Sequence, residues 1–189
     1  MTTNFEEIEI KHKKIIDIAK EYMATINDYE HNLEHALDVV CFCKELLTKI
    51  DTKDVDLDCI LISCYWHDVG RTKCQEGHEL ISAQMLKQEL INNGYDKSFA
   101  DKCFECVETH NYSMIAKTIE GHILKDSDKL AFLGLGRWRE CLDNNQNLDD
   151  IVALLPRLKN ELLHFEESKE IYDRQILKIF NLLYKRIYK

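Results

Sequence analysis

Six side chains able to hold a divalent cation are spread between positions 35 and 128: His35, the adjacent pair His67-Asp68, His78, His110 and Asp128. The pair closes the apolar run 57–66, and Gly70 and Arg71 follow at once. Taken alone, such a pair reads as the polar end of a helix facing water, with Gly70 as its C-cap. The other four residues change that reading. An imidazole offers a neutral nitrogen lone pair and a carboxylate an anionic oxygen. Two of each, with water completing the shell, suit an octahedral borderline-hard ion such as Mn²⁺, Fe²⁺, Co²⁺ or Mg²⁺. Such an ion lowers the pKa of bound water and polarises a phosphoryl oxygen.

The elements that must position these residues are helical. Apolar residues recur at helical spacing over 5–25 and again over 33–50, where His35 falls in the first turns. His31 lies four residues before His35 and can share its face, which makes it a substrate-side candidate. The stretch 51–58 is a charged loop ending in a capping residue, and a third helix runs to His67-Asp68. His78 opens a fourth helix, stopped by Asn92-Asn93-Gly94, and a fifth, capped by Asp96 or Ser98, ends near His110. The connection 111–121 leads to a sixth helix from Ile123 that carries Asp128, with Gly134 and Gly136 marking its end or a kink. A loop over 143–146 precedes a helical tail, 148–189, interrupted at Pro156 and bounded again near 166–168. Helix ends that converge on one cavity are a usual way for an α-helical fold to build a metal site.

Composition agrees with an all-α protein. The 189 residues include one proline and six glycines, and the hydrophobic fraction is 45%. That length suits a single domain, 1–189, with its core at about 20–140 and the C-terminal helices 148–189 packed on it. A net charge of −9 argues against a DNA-binding surface. It leaves room for a small anionic substrate, because a metal and a few basic residues reverse the field locally. The eight cysteines sit mostly in apolar helical stretches as small hydrophobes. Cys103 and Cys106 form a lone C-x-x-C without the second pair that zinc would need. With no signal peptide and no membrane-spanning run, a reduced cytoplasmic location is expected.

The order His35, His67-Asp68, Asp128 resembles the H…HD…D signature of the HD-domain metal-dependent phosphohydrolase superfamily. The likeness extends to Trp66-His67-Asp68-Val69-Gly70-Arg71, Gly77-His78-Glu79 with Ser82, Glu108-Thr109-His110-Asn111-Tyr112-Ser113 and Asp126-Ser127-Asp128-Lys129-Leu130. This set is similar to a bacterial branch of small, stand-alone HD hydrolases acting on nucleotides, and it covers about residues 20–140. The resemblance implies an HD-domain helical bundle with its metal site among helix ends. His35, His67, Asp68 and Asp128 would bind one divalent ion, Mn²⁺ in preference to Mg²⁺, Co²⁺, Fe²⁺ or Ni²⁺. His78 and His110 occupy positions where relatives have a proton-transfer or second-metal histidine. Lys129 stands where nucleotide-cleaving relatives meet a phosphate. Two positions depart from the pattern: Asp38 stands where Arg is frequent, and Ala131 where Asp is frequent.

The expected activity is hydrolysis of a phosphoester or phosphoanhydride in a small molecule, most readily a nucleotide. Asp68 would accept a proton from the attacking water, His78 or His110 would protonate the leaving oxygen, and Lys129 and Arg71 would neutralise phosphate charge. His31 would face the substrate. No DNA or membrane partner is expected, and a homodimer is compatible with the sequence. Two other readings stay open: a di-iron oxygenase of the same superfamily, for which His78 and His110 supply extra ligands, and a nucleotide-binding module without turnover. Outside the set, His12 and His164 fit solvated helix faces, His122 a helix start, Asp126 a cap or acceptor, and Arg137 a weaker basic candidate.

Overall fold

The computed structural model describes residues 4–28, 30–144 and 148–187. The chain forms α1 (Phe5–Lys11), α2 (Lys13–Met23), α3 (Leu33–Leu47), α4 (Leu57–Trp66), a 3₁₀ turn (Val69–Thr72) and α5 (His78–Asn92). It continues with α6 (Lys97–Glu108), α7 (Ile119–Ala131), α8 (Leu135–Asp143), α9 (Leu148–Arg157), a π-helical turn (Leu158–Leu162) and α10 (Glu166–Ile187). Among the described residues there is no strand, and no helix is long and apolar enough to cross a membrane.

The fold is built round α4. All eight residues from Cys59 to Trp66 are buried, so this helix has no solvated face. It packs against α2, α3, α6 and α7, and the Trp66 indole donates to Ile15 O at 3.1 Å. Asp56 caps it, accepting from Cys59 N at 3.0 Å. The charged loop therefore ends two residues before Asp58. A helix sealed on every side brings its C-terminal residues, His67 and Asp68, into the interior rather than to water.

Several boundaries differ from the sequence reading for local reasons. The expected helix 5–25 is two helices broken at His12. That residue is 3% exposed, not solvated. Its ring turns inward, with Nδ1 2.7 Å from Tyr95 Oη and Nε2 3.3 Å from Asp58 Oδ1. α7 starts four residues earlier than Ile123, because Thr118 Oγ1 accepts from Gly121 N at 3.1 Å and caps it there. Gly70 is no left-handed C-cap. It lies in the 3₁₀ turn, pressed on the start of α5. A Cβ there would lie 2.3 Å from His78 O and 2.8 Å from Ser82 Oγ, and Gly70 N donates to Ser82 Oγ at 2.7 Å. The stop at Asn92-Asn93-Gly94 is as expected, with Gly94 at φ +80°. Part of the expected loop 143–146 and the last two residues of the tail lie outside the described residues.

The C-terminal segment is tied to the site-bearing helices by Asp126. Its buried carboxylate accepts from His164 N (2.8 and 3.0 Å) and Phe165 N (2.9 Å). It is an acceptor, not a metal ligand, as the sequence suggested. His164 is exposed and stacks on His122 with centroids 3.9 Å apart.

Candidate metal centre

Each of the six candidate ligands sits at or beside a helix end, except Asp128, which lies in the last turns of α7. Asn32 caps α3, accepting from His35 N at 3.1 Å, and so fixes the turn that carries His35. His67 is the C-cap of α4, Asp68 the next residue, His78 the first residue of α5, and His110 lies just past α6. Three of the imidazoles share one local device. Nδ1 of His67, His78 and His110 lies 2.9, 2.9 and 2.8 Å from the carbonyl of Cys64, Gln75 and Val107 respectively. A carbonyl only accepts, so Nδ1 carries the proton and Nε2 presents its lone pair to the site.

The donor atoms converge in two sets, His35–His67–Asp128 and Asp68–His78–His110. In the first, His35 Nε2 is 3.3 Å from both His67 Nε2 and Asp128 Oδ1. Asp68 faces both sets, one oxygen to each. Its Oδ2 is 3.6 Å from His67 Nε2 and 3.9 Å from His35 Nε2. Its Oδ1 is 3.0 Å from His78 Nε2 and 3.5 Å from His110 Nε2. Neighbouring ligands on an ion with bonds of about 2.1 Å stand roughly 3 Å apart, so the spacing fits cations. A second observation agrees. Asp68 Oδ1 and His78 Nε2 are buried and, despite their 3.0 Å approach, neither has an aligned hydrogen-bond partner. Two lone-pair-bearing atoms buried in that relation are satisfied by a cation between them.

Electrostatics keep His67, Asp68 and Asp128 in ligating form. Burial pushes His67 down to about 3, so it stays a neutral base in ordinary conditions. For Asp68, burial raises the pKa, but the surrounding imidazoles of His67, His110 and His78 outweigh it and hold the carboxyl well below its usual range. Asp128 behaves alike, with burial opposed by Lys129 and His35. At His78, burial lowers the pKa and the Asp68 carboxylate raises it, and Asp68 prevails.

These groups form the floor of a cavity of about 450 Å³. The expected basic residues line it. Arg71 Nε is 3.0 Å from Asp68 Oδ1, and Lys129 bonds Asp128 directly. His31 also faces the cavity, its Nδ1 2.7 Å from Asp28 Oδ2. The two departures, Asp38 and Ala131, line a separate small recess behind His35 together with Arg137. Sequence reasoning missed the opposite wall. Leu154, Leu158 and Leu162 line the cavity together with Phe132 and Arg157. Their spacing of four was visible, but nothing in a helical tail says which cavity such a stripe overlooks.

A family model for the HD domain matches residues 32–133, more than half of the chain. This chain belongs to the HD-domain family. A search of curated proteins found no match. Among solved structures, the HD-domain protein is similar to a predicted HD superfamily hydrolase from an uncultured Thermotogales bacterium, with 18% identity and TM-score 0.71 over 98% of each chain. It is also similar to Bacillus subtilis YpgQ, solved in complex with ADP, with 16% identity and TM-score 0.66 over 95% of this chain and 96% of that one. At such identities the likeness concerns the fold. All four residues expected to bind the first ion lie inside the matched segment of the HD-domain protein, as do His78 and His110. The leucine wall lies beyond it.

Proposed function

We propose that this HD-domain protein is a metal-dependent phosphohydrolase acting on a small phosphorylated molecule, and that the substrate is a nucleotide. The observation that carries the reading is Asp68, buried between two donor sets at the floor of a cavity lined by Arg71 and Lys129. That a neighbour of the same fold was solved with ADP supports the choice of nucleotide. The chain would act as one folded unit, with the C-terminal segment forming part of the cavity wall.

A divalent ion held by His35, His67, Asp68 and Asp128, with Mn²⁺ favoured, would supply Lewis acidity and a more acidic water. The remaining chemistry belongs to the protein. Asp68, ionised, accepts the proton released as water attacks phosphorus. With that ion alone bound, His78, whose pKa is raised, donates a proton to the leaving oxygen, and His110 beside it is the alternative donor. Arg71 and Lys129 balance the charge that grows on the phosphoryl oxygens. His31 orients the substrate from the cavity edge.

The division of Asp68 between two donor sets favours a second ion at Asp68, His78 and His110, in which case those histidines bind metal instead of donating protons. Six such donors also suit a pair of irons, so the oxidative reading keeps a test of its own: oxygen consumption by iron-loaded protein. A module without turnover is disfavoured by a complete donor set. The deciding experiment is a phosphate and pyrophosphate release screen across nucleotides with Mn²⁺, Co²⁺ and Mg²⁺. Release that depends on the divalent ion is expected. Full activity after exhaustive chelation would refute the proposal.

A further inference from the structure

The cavity is chemically divided. Its floor carries the histidines, the carboxylates, Arg71 and Lys129, which suit phosphate. Its apolar lining is Leu154, Leu158 and Leu162 from the end of α9 and the π-helical turn, with Phe132 of the α7–α8 junction. Spacing of four aligns the three leucines on one side of their helix. Phe132 is held still: the Arg137 guanidinium lies 4.6 Å from its ring centroid and the Trp138 ring meets it edge-on at 6.3 Å. A phosphorylated substrate whose charge sits on the floor must turn its remaining part toward this wall.

The polar side chains around the wall do not read hydrogen-bond patterns. Asn111 is engaged at both ends: its amide nitrogen donates to Glu79, and its oxygen accepts from Ser113 N and Oγ at 3.0 and 3.1 Å. His31 is held by Asp28 and Arg137 by Glu30. Arg157 is more exposed and bonds Glu161 at 2.8 Å. A guanidinium only donates, and every common nucleobase has acceptors on its edges, so Arg157 does not select among them. The Tyr112 hydroxyl both donates and accepts and is equally unselective. An apolar wall discriminates weakly between flat groups of similar size. Strong rejection requires fixed polar groups left unpaired by the wrong ligand.

We infer that the wall of Leu154, Leu158, Leu162 and Phe132 is a base subsite that binds by apolar contact without reading the base edge, so the protein tolerates all four nucleobases. The inference rests on the nucleotide reading above and adds which residues hold the base and how little they choose.

Binding tests it without turnover. The Mn²⁺-loaded full chain would be titrated by calorimetry with the α,β-methylene diphosphates of adenosine, guanosine, cytidine and uridine, and with methylenediphosphonate, which has no base. Four dissociation constants within about tenfold of one another are expected, with methylenediphosphonate at least about tenfold weaker. Leu162→Ser and Leu154→Ser, both at half-buried positions that tolerate truncation, should weaken all four nucleotides by about fivefold each and leave methylenediphosphonate unchanged. A preference for one base of more than about tenfold overturns the tolerance. Equal binding with and without a base, or equal effects of the leucine variants on both, overturns the subsite. Binding of methylenediphosphonate but of no nucleotide, or of neither, overturns the nucleotide reading and the inference with it; the subsite failing alone leaves nucleotides bound but insensitive to the wall.

Discussion

Removing the His110 imidazole separates one ion from two. His110 contributes one of three donor atoms in the set Asp68–His78–His110 and none in the set His35–His67–Asp128. Partners that merely support a ligand are worth about 10- to 100-fold in metal affinity, so loss of a ligand itself should cost at least about 100-fold. Consider Mn²⁺ at about 100 times the wild-type dissociation constant of this second set. Binding there stabilises the fold by about 2.7 kcal/mol. After a 100-fold loss the same concentration equals the dissociation constant, and the stabilisation falls to about 0.4 kcal/mol. The difference, about 2.3 kcal/mol, corresponds to roughly 5–9 °C in a protein of this size. In His110→Ala, therefore, the Mn²⁺-induced rise in melting temperature should shrink by that amount, and bound metal by elemental analysis should drop from two equivalents to one. His35→Ala should instead disturb the other set and leave His78 and His110 still able to bind. Wild-type protein that saturates with one equivalent, or a His110→Ala variant that keeps two, would refute the reasoning from the divided Asp68 carboxylate.

Other perturbations probe different parts. Lys129→Ala should lower nucleotide turnover by about 100-fold with metal content unchanged; metal loss in proportion to activity would make Lys129 a brace for Asp128, which it bonds. Asp126→Ala leaves the backbone N–H groups of His164 and Phe165 without their acceptor, at about 1–3 kcal/mol for each, and a denaturant midpoint within error of wild type would show that this tie is dispensable. His12 gives a pH signature. Burial lowers its pKa against the opposing pull of Asp58, so the unfolded chain takes up the proton first as pH falls, and stability is lost from about pH 6.5 downward. His12→Gln should remove up to one proton, about 1.4 kcal/mol per pH unit, from the slope of stability over that window, and an unchanged slope would exclude His12 as its source.

The six ligand candidates were legible in the sequence because metal-binding side chains are rare at the ends of apolar helices, and because their order matched a family pattern. The helices were legible from periodicity, apart from ends decided by a single cap such as Thr118 or a single inward ring such as His12. Two things were not legible. Gly70 reads as a helix terminator by type, whereas its lack of a side chain serves the approach of α5, a contact between segments that local patterning does not encode. The leucine wall was invisible for a similar reason: a stripe at spacing four says that one side of a helix is apolar, not what stands opposite. Only the closure of the C-terminal segment, through Asp126 and the turn at His164, decides that.

The carbonyls of Cys64, Gln75 and Val107 have a consequence for inheritance. Each lies three residues before the histidine it holds, and each belongs to the main chain. No exchange of side chain at those three positions deletes the acceptor, so the tautomer of these three histidines does not depend on which amino acids surround them. A lineage could rewrite the packing beneath the site, alter its charge or change the wall above it while the rings continued to aim the same nitrogen inward. What such a lineage could not accept is an insertion or deletion within any of those four-residue spans, 64–67, 75–78 and 107–110. The length of those spans, more than residue identity, is where drift should be arrested.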